Sequence, residues 1–256
     1  MRDQPEQQAP PVQRLRVRYA KRGRLRFTSH RDFSRAFERA IVRARVPMAY
    51  SSGFNPHPRI SYAGASPTGA ASEAEYLEIG LARTVEPAEV LAALDEALPD
   101  GLDVLEVVES SGGSLADLLE ASVWRTTVPG LDPEEAQRAV SAFLDADEVL
   151  VERMTKKGLR TFDCRAAVVS MTATATSSAA STAPTRSGSG DSCAILEVVL
   201  RHGTPAVRPD DVLAGLRALA GLEAGSAPLH ERLAQGPLDA VHGTVGDPLA
   251  LNRDTA

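Results

Sequence analysis

The chain has 256 residues, of which 43% are hydrophobic, so it can bury one large core or two smaller ones. Its two cysteines exclude a disulfide scaffold, and no apolar run approaches the roughly 20 residues that span a bilayer. The net charge of −6 is unevenly distributed, because residues 14–59 carry thirteen basic side chains and only two acidic ones. We therefore expect a cytoplasmic protein with one strongly cationic surface.

This cationic segment has a charge of +11, whereas the rest of the chain carries −17. Such a charge block indicates a surface for a polyanion or for an acidic partner. Arginine dominates over lysine in it, which favours bidentate contacts to phosphate or carboxylate groups. The alternative is a solvated basic face that pairs with the chain's own acidic half.

The chain begins with a polar stretch and then a predicted strand. Residues 1–12 are rich in Gln and Pro, and we expect them to form a disordered leader. From Gln13 to Tyr19, apolar residues alternate with Arg14, Arg16 and Arg18. This is the period of a half-buried strand whose outer face is all arginine.

The next predicted element is an amphipathic helix. Ser29 can cap its N-terminus, with Asp32 three residues on, and Pro47 stops it after about Arg45. Apolar residues recur at helical spacing on one side, namely Phe33, Ala36, Phe37, Ala40, Ile41 and Ala44. Arginines recur every four residues on the other side, namely Arg31, Arg35, Arg39 and Arg43. One helix is therefore predicted to carry both a core face and a basic ridge.

The remaining pattern predicts two related domains. Residues 13–110 read as strand, helix, strand, strand, helix, strand, which is the order of a ferredoxin-like split βαβ domain. The pattern recurs over residues 120–226, with a flexible insertion at residues 172–191 that is almost all Ala, Ser, Thr and Gly. Residues 227–256 are expected to be a loosely packed polar tail. The predicted fold class is α+β, with two ferredoxin-like domains and antiparallel sheets.

Two polar loops are candidates for a functional site. His30 lies at the start of the basic helix, where backbone donors and the helix dipole attract anions. A Pro-rich loop further on offers Phe54, which can stack on a nucleic-acid base. The same loop offers Asn55, His57 and Arg59 for polar contacts. Because both loops can reach one end of the same small sheet, we expect His30 and His57 to form one pocket. The structural alternative is that His30 only caps its helix and Phe54 is a core residue.

Several known motifs for cofactors and phosphates are absent from the sequence. It contains neither GxxxxGK[ST] nor GxGxxG, and no Cys or His cluster has the spacing of a zinc or iron–sulfur site. The sequence therefore predicts no metal and no cofactor in this chain.

Three segments resemble a bacterial family of radical-SAM-associated proteins. They are residues 25–32 (LRFTSHRD), 50–61 (YSSGFNPHPRIS) and 66–69 (SPTG), and the resemblance extends over roughly residues 15–171 and, more weakly, 193–219. It implies a domain that is often fused to the C-terminus of a radical SAM protein or encoded next to one. Because this chain lacks the CxxxCxxC triad, the resemblance implies a stand-alone form. The partner would then carry the iron–sulfur cluster and S-adenosylmethionine.

These observations lead us to expect an accessory protein that presents RNA, either tRNA or rRNA, to a radical SAM enzyme. The residues expected to contact the RNA are Arg16, Arg18, Arg31, Arg35, Arg39, Arg43, Phe54, Asn55 and Arg59. One alternative is a metal-independent endoribonuclease in which His30 or His57 acts as general acid or base. The other is a protein–protein adaptor whose basic face docks an acidic enzyme surface without binding RNA.

Overall fold

The structure is a computed structural model that describes residues 7–155, 158–175, 193–222 and 227–253. The chain divides into two units. The first unit is formed by two segments of the chain, one that ends at Leu119 and one that begins at Asp247. The second unit runs from Glu120 to Gly246. Both combine helices with antiparallel strands, so the predicted α+β class is confirmed. None of the helices within the described ranges is long and apolar enough to cross a membrane.

The first unit contains four antiparallel strands and two helices before residue 110. Its elements are β1 (Gln13–Lys21), α1 (His30–Arg43), β2 (Ile60–Ala63), β3 (Ala71–Leu81), α2 (Pro87–Ala97) and β4 (Val104–Glu109). The strands lie in the order β4-β1-β3-β2. This register places Val17, Leu77 and Tyr62 side by side on one face of the sheet, and it places Arg16, Glu78 and Ser61 on the other.

The first face of this sheet packs against the two helices. The buried residues of α1 include Phe33 and Phe37, which belong to one hydrophobic cluster with Leu77 and with Leu94 of α2. Tyr19 of β1 stacks on Phe33 with ring centroids 4.3 Å apart. The amphipathic pattern of α1 therefore places its apolar side in the core, as the spacing predicts.

The second face of the sheet is also covered, which the alternation along β1 does not predict. Tyr76 of β3 is buried on this face in a cluster with Leu115, Leu119 and Leu249. As a result β1 is buried on both sides along most of its length. The expected all-arginine outer face of β1 is therefore largely covered, because later segments of the chain fold over it, and of its three arginines only Arg14 is more than half exposed.

The second unit repeats the same arrangement with additions. Its elements are β5 (Ala121–Pro129), α3 (Pro133–Asp145), β6 (Leu150–Thr155), β7 (Gly158–Asp163), β8 (Val168–Ala175), β9 (Cys193–Arg201), α4 (Pro209–Ala220), β10 (Leu229–Gly236), β11 (Leu238–Asp239) and β12 (Thr244–Val245). The main strands lie in the order β10-β5-β9-β8, all antiparallel. The pairs β6–β7 and β11–β12 form separate two-stranded ribbons.

Residues 227–256 are not a loosely packed tail where the structure describes them. β10 pairs with β5 along its length. From Asp247 the chain belongs to the first unit again, where it forms the short helix α5 (Ala250–Arg253). Leu249 and Asn252 are buried there. The polar composition was misleading because part of this segment buries polar side chains in hydrogen bonds rather than apolar ones.

The other two predicted irregular segments differ in part from expectation. In the leader, the backbone N–H of Val12 donates to the carbonyl of Leu81 at 2.8 Å, so this end of the segment is bonded to β3. Residues 1–6 lie outside the described residues. In the insertion, Thr172 to Ala175 extend β8 and pair with β9. The rest of the predicted insertion, residues 176–191, lies outside the described residues.

Candidate functional site

The exposed side of α1 forms a cationic surface that we call the α1 ridge. It consists of Arg31, Arg35, Arg39 and Arg43. All four side chains are exposed, and within the described part of the chain none of them forms an ion pair. The open surface between Arg35, Arg39 and Arg43 also includes Glu38 and Val42 of the same helix. This surface can neutralise an extended anion.

The α1 ridge rests on a well-anchored helix. The Ser29 hydroxyl accepts the backbone N–H of Asp32 at 3.2 Å and donates to its carboxylate at 2.6 Å, which caps the N-terminus. On the opposite side of the helix, the rings of Phe33 and Phe37 pack in the core with centroids 5.7 Å apart. The arginines are therefore presented from a fixed element rather than from a loop.

Arg16 does not belong to this surface, contrary to the sequence prediction. It is 1% exposed, and its Nε lies 3.3 Å from Oε2 of Glu78. Its terminal nitrogens donate to the carbonyls of Gly112 and Gly113 and to Oδ1 of Asn252, at 2.6, 3.2 and 3.1 Å. Arg16 is a structural residue, because its guanidinium is saturated by the protein and is closed off from any phosphate.

Other arginines of the basic segment are also occupied within the first unit. Arg18 donates from Nε to the carbonyl of Glu73 at 2.9 Å and is only partly exposed. Arg22 forms ion pairs with Glu73 and Asp103, and these carboxylates raise the pKa of its guanidinium. The segment's charge of +11 therefore overstates what is free at the surface, and the α1 ridge is the part of it in which four exposed arginines lie along one element.

His30 lies at the first turn of α1 and contacts two residues that the sequence prediction missed. Its ring meets Tyr62 edge-on with centroids 4.8 Å apart, and its Nδ1 lies 3.2 Å from the hydroxyl of Ser34. Burial raises the pKa of the Tyr62 hydroxyl. The helical spacing of His30 and Ser34 could have suggested the second contact, but nothing local in the sequence indicates the first.

The Pro-rich loop, defined as residues 51–58, is closed at its base by hydrogen bonds. The backbone N–H of Ser51 donates to the carbonyl of His57 at 2.9 Å, and that of His57 donates to the Ser51 hydroxyl at 3.0 Å. Gly53 has a φ of 121°, which glycine adopts readily. Phe54 is 68% exposed and Asn55 is also exposed. The loop thus presents an aromatic ring to solvent instead of burying it.

A small polar cleft lies beside this loop, and we call it the His57 cleft. It has a volume of about 320 Å³ and is lined by Pro11, Arg14, Ser51, His57, Pro58, Arg59, Ile60, Ser61, Glu78 and Gly80. Arg59 is held in place by a hydrogen bond from its Nε to the carbonyl of Tyr50 at 3.1 Å. The cleft therefore brings two of the predicted site residues, His57 and Arg59, next to Arg14, whose role was not predicted.

The two histidines do not share a pocket. His30 packs against Tyr62, whose side chain lies on the helix-covered face of the sheet. The His57 cleft is instead lined by Ser61 and Glu78, which lie on the opposite face. Neighbouring residues of a strand point to opposite faces, so Tyr62, which contacts His30, and Ser61, which lines the cleft with His57, lie on opposite faces of the sheet. The expectation of one pocket is therefore not met.

The fold and site define an α+β protein with a cationic helix and a separate small polar cleft. Among the described residues, no group of three or more His, Cys, Asp or Glu side chains is placed to hold a metal ion. The chain belongs to DUF2344, a family described as an uncharacterised protein conserved in bacteria, whose model matches residues 14–209. This range contains the α1 ridge and most of the His57 cleft. No curated protein matches the chain significantly.

Proposed function

We propose that this protein is an accessory protein that binds RNA along the α1 ridge and presents it to a radical SAM enzyme. The observation that carries the RNA part is the set of four exposed arginines, without ion pairs in the described residues, on a protein that is acidic overall. Successive arginines of this set are about 6 Å apart along the helix axis. Such a row suits a chain of phosphates, which arginine contacts through its planar fork.

The exposed tip of the Pro-rich loop supports the same proposal. A solvent-exposed phenylalanine such as Phe54 provides a face on which a base can stack, and Asn55 beside it can hydrogen-bond to a base edge. Phosphate contacts and stacking together are the usual means of binding single-stranded RNA. We therefore expect single-stranded or loop regions of tRNA or rRNA as the ligand, rather than a regular duplex.

We further propose that both units are ferredoxin-like. Each contains strands that can be numbered one to four in the order 4-1-3-2, with all neighbours antiparallel and with helices after the first and third strands. RNA-binding modules with a four-stranded sheet commonly stack bases on the open sheet face. In the first unit both faces of the sheet are covered, so we expect the RNA to follow α1 instead.

The radical SAM partner is supported by the resemblance of residues 25–32, 50–61 and 66–69 to radical-SAM-associated proteins. In this proposal the iron–sulfur cluster and S-adenosylmethionine belong to the partner, and this chain supplies binding residues. The interaction is tested by calorimetric titration with a radical SAM protein from the same bacterium, in the presence and absence of RNA. If this protein binds the radical SAM enzyme but does not bind RNA, the adaptor alternative is selected.

The RNA part is tested by fluorescence anisotropy with a single-stranded oligoribonucleotide over a salt series. Replacing Arg35 and Arg39 together by alanine removes two ridge charges, and each lost phosphate contact lowers the slope of log K against log salt by about 0.7. We expect weaker binding and a slope reduced by about 1.4. The matched control replaces Arg138 and Arg217, two exposed helical arginines of the second unit, and should leave the slope unchanged.

Two outcomes of this experiment would reject the proposal. If the unmodified protein does not bind RNA at low salt, the nucleic-acid interpretation fails. If both double variants reduce the slope equally, RNA binding depends on the overall charge of the protein, and the α1 ridge is not the binding surface. Gel analysis of the same RNA detects any cleavage. Because His30 and His57 lie on opposite faces of the sheet, we expect no cleavage by a paired acid and base.

A further inference from the structure

The His57 cleft contains more positive charge than its one carboxylate can neutralise. Nη1 of Arg14 lies 3.0 Å from Oε1 of Glu78, and Nε of Arg16 lies 3.3 Å from Oε2. The hydroxyl of Ser110 also donates to Oε2 at 3.0 Å, so both carboxylate oxygens of Glu78 already accept hydrogen bonds from protein donors. Arg59 adds a second guanidinium to the lining, of which the buried Arg16 is not a part. Arg14, Arg59 and Glu78 together leave the lining with a net positive charge.

Several donors at this cleft remain available to a ligand. Arg59 uses its Nε on the carbonyl of Tyr50, while its two terminal amino groups have no hydrogen-bond partner among the described residues. Ser61 is exposed, and its hydroxyl is likewise without a partner there. The Ser51 hydroxyl accepts the N–H of His57 and keeps its own proton for donation. An oxyanion with several acceptor oxygens would satisfy these groups together.

The shape of the cleft depends on a glycine. A Cβ atom at Gly80 would lie 2.8 Å from Cγ of Pro11 and 3.3 Å from Cβ of Arg59, so a larger residue would push both walls apart. Ligand pockets in proteins commonly span about 300–1,000 Å³, and this cleft lies at the small end of that range. It can hold one phosphate group with part of its sugar, whereas an RNA helix is far too large.

We propose that the His57 cleft binds a terminal phosphomonoester of an RNA strand. A phosphomonoester carries a charge of about −1.5 to −2 at neutral pH and is therefore attracted more strongly by the cationic lining than an internal phosphodiester, which carries only one negative charge. Its three terminal oxygens also match the free donors of Arg59 and the serines. Phe54 on the same loop is exposed and can stack on the terminal base. This inference rests on the proposed function and adds that the cleft selects RNA strands with a phosphorylated end.

The test compares three oligoribonucleotides of one sequence that carry an internal fluorophore. One has a 5′-phosphate, one has a 3′-phosphate, and one has hydroxyls at both ends. We expect one phosphorylated form to bind about tenfold more tightly than the hydroxyl form, because charge-assisted hydrogen bonds distinguish them. Arg59→Gln should remove this preference, so that the phosphorylated and hydroxyl forms bind with equal affinity. Arg160→Gln, at an exposed arginine of β7, is the matched control and should keep the preference.

Further variants separate this inference from the proposed function. Ser61→Asp, at an exposed position of the cleft, adds a repelling charge and should also remove the preference without perturbing the core. Replacing Arg35 and Arg39 by alanine should weaken all three oligonucleotides by the same factor. Equal affinities for the three RNAs would overturn the inference while leaving RNA binding intact, as would a preference that survives both cleft variants. Failure to bind any of the RNAs would overturn both proposals.

Discussion

At the scale of single residues, arginines from one basic segment have opposite environments. Arg35 is exposed on α1 and is free to meet a ligand. Arg16 is buried, where its charge is compensated by Glu78 and its donors are used by Asn252 and by backbone carbonyls. Burying a guanidinium is costly unless it is paired and fully hydrogen-bonded, and this site meets that requirement. The first arginine is therefore available to a ligand, whereas the second stabilises the fold.

This contrast predicts a difference in stability between neighbouring arginine variants. Arg16→Met should lower the free energy of unfolding by about 3 kcal/mol, because it leaves buried acceptors without their donor. Arg14→Met, at a side chain that is 58% exposed, should cost less than about 1 kcal/mol although it also touches Glu78. Chemical denaturation followed by circular dichroism measures both. Equal losses for the two variants would contradict the structural role of Arg16.

At the scale of elements, α1 could be predicted well from the sequence and β10 could not. The apolar spacing and the Ser29 cap are local signals, and the observed helix ends two residues before the predicted end. β10 buries Arg232 and Gln235, which bond to each other at 2.8 Å, and its pairing register shifts between Arg232 and Ala234. Buried polar residues and a bulge remove the alternation of apolar residues by which a strand is recognised.

The cap of α1 provides a prediction at this scale. Ser29→Ala removes the acceptor for the N–H of Asp32 and should lower the free energy of unfolding by about 0.5–2 kcal/mol. Ser34→Ala in the same helix is the control and should change it by less than about 0.5 kcal/mol, because its hydroxyl contacts the carbonyl and the ring of His30 and satisfies no backbone N–H of the helix end. Thermal melts of the two variants decide between them. A loss with Ser34→Ala as large as with Ser29→Ala would argue against a specific capping role.

At the scale of the whole molecule, the chain completes the second unit and then returns to the first. Leu249 fills the cluster on the second face of the first sheet, and Asn252 holds Arg16 and the carbonyl of Glu109. Arg253 forms further ion pairs with Glu106 and Asp247, which raise the pKa of its guanidinium. The first unit therefore includes a segment that follows it by more than a hundred residues.

Removal of this segment should destabilise the first unit selectively. A chain ending at Gly246 should lose about 3 kcal/mol or more of stability in that unit, since a buried leucine and the partner of a buried charge are removed together. Trp124, the single tryptophan, lies in the second unit, so its fluorescence reports that unit while circular dichroism reports both. We expect an early transition seen only by circular dichroism. Leu251→Ala, at a side chain 71% exposed, is the control and should show none.

The sequence by itself determined the α+β class, the amphipathic helix with its cap, and the row of arginines along one side of it. These follow from periodicity and capping, which act over a few residues. Only the tertiary structure decided that Arg16 is buried, that His30 and His57 lie on opposite faces, and that Arg14 joins Arg59 in a cleft. Periodicity shows which side of an element is apolar, but whether the polar side stays exposed depends on distant segments. Asn252 lies 236 residues from Arg16, which it helps to bury, so the local sequence of β1 contains no sign of this contact.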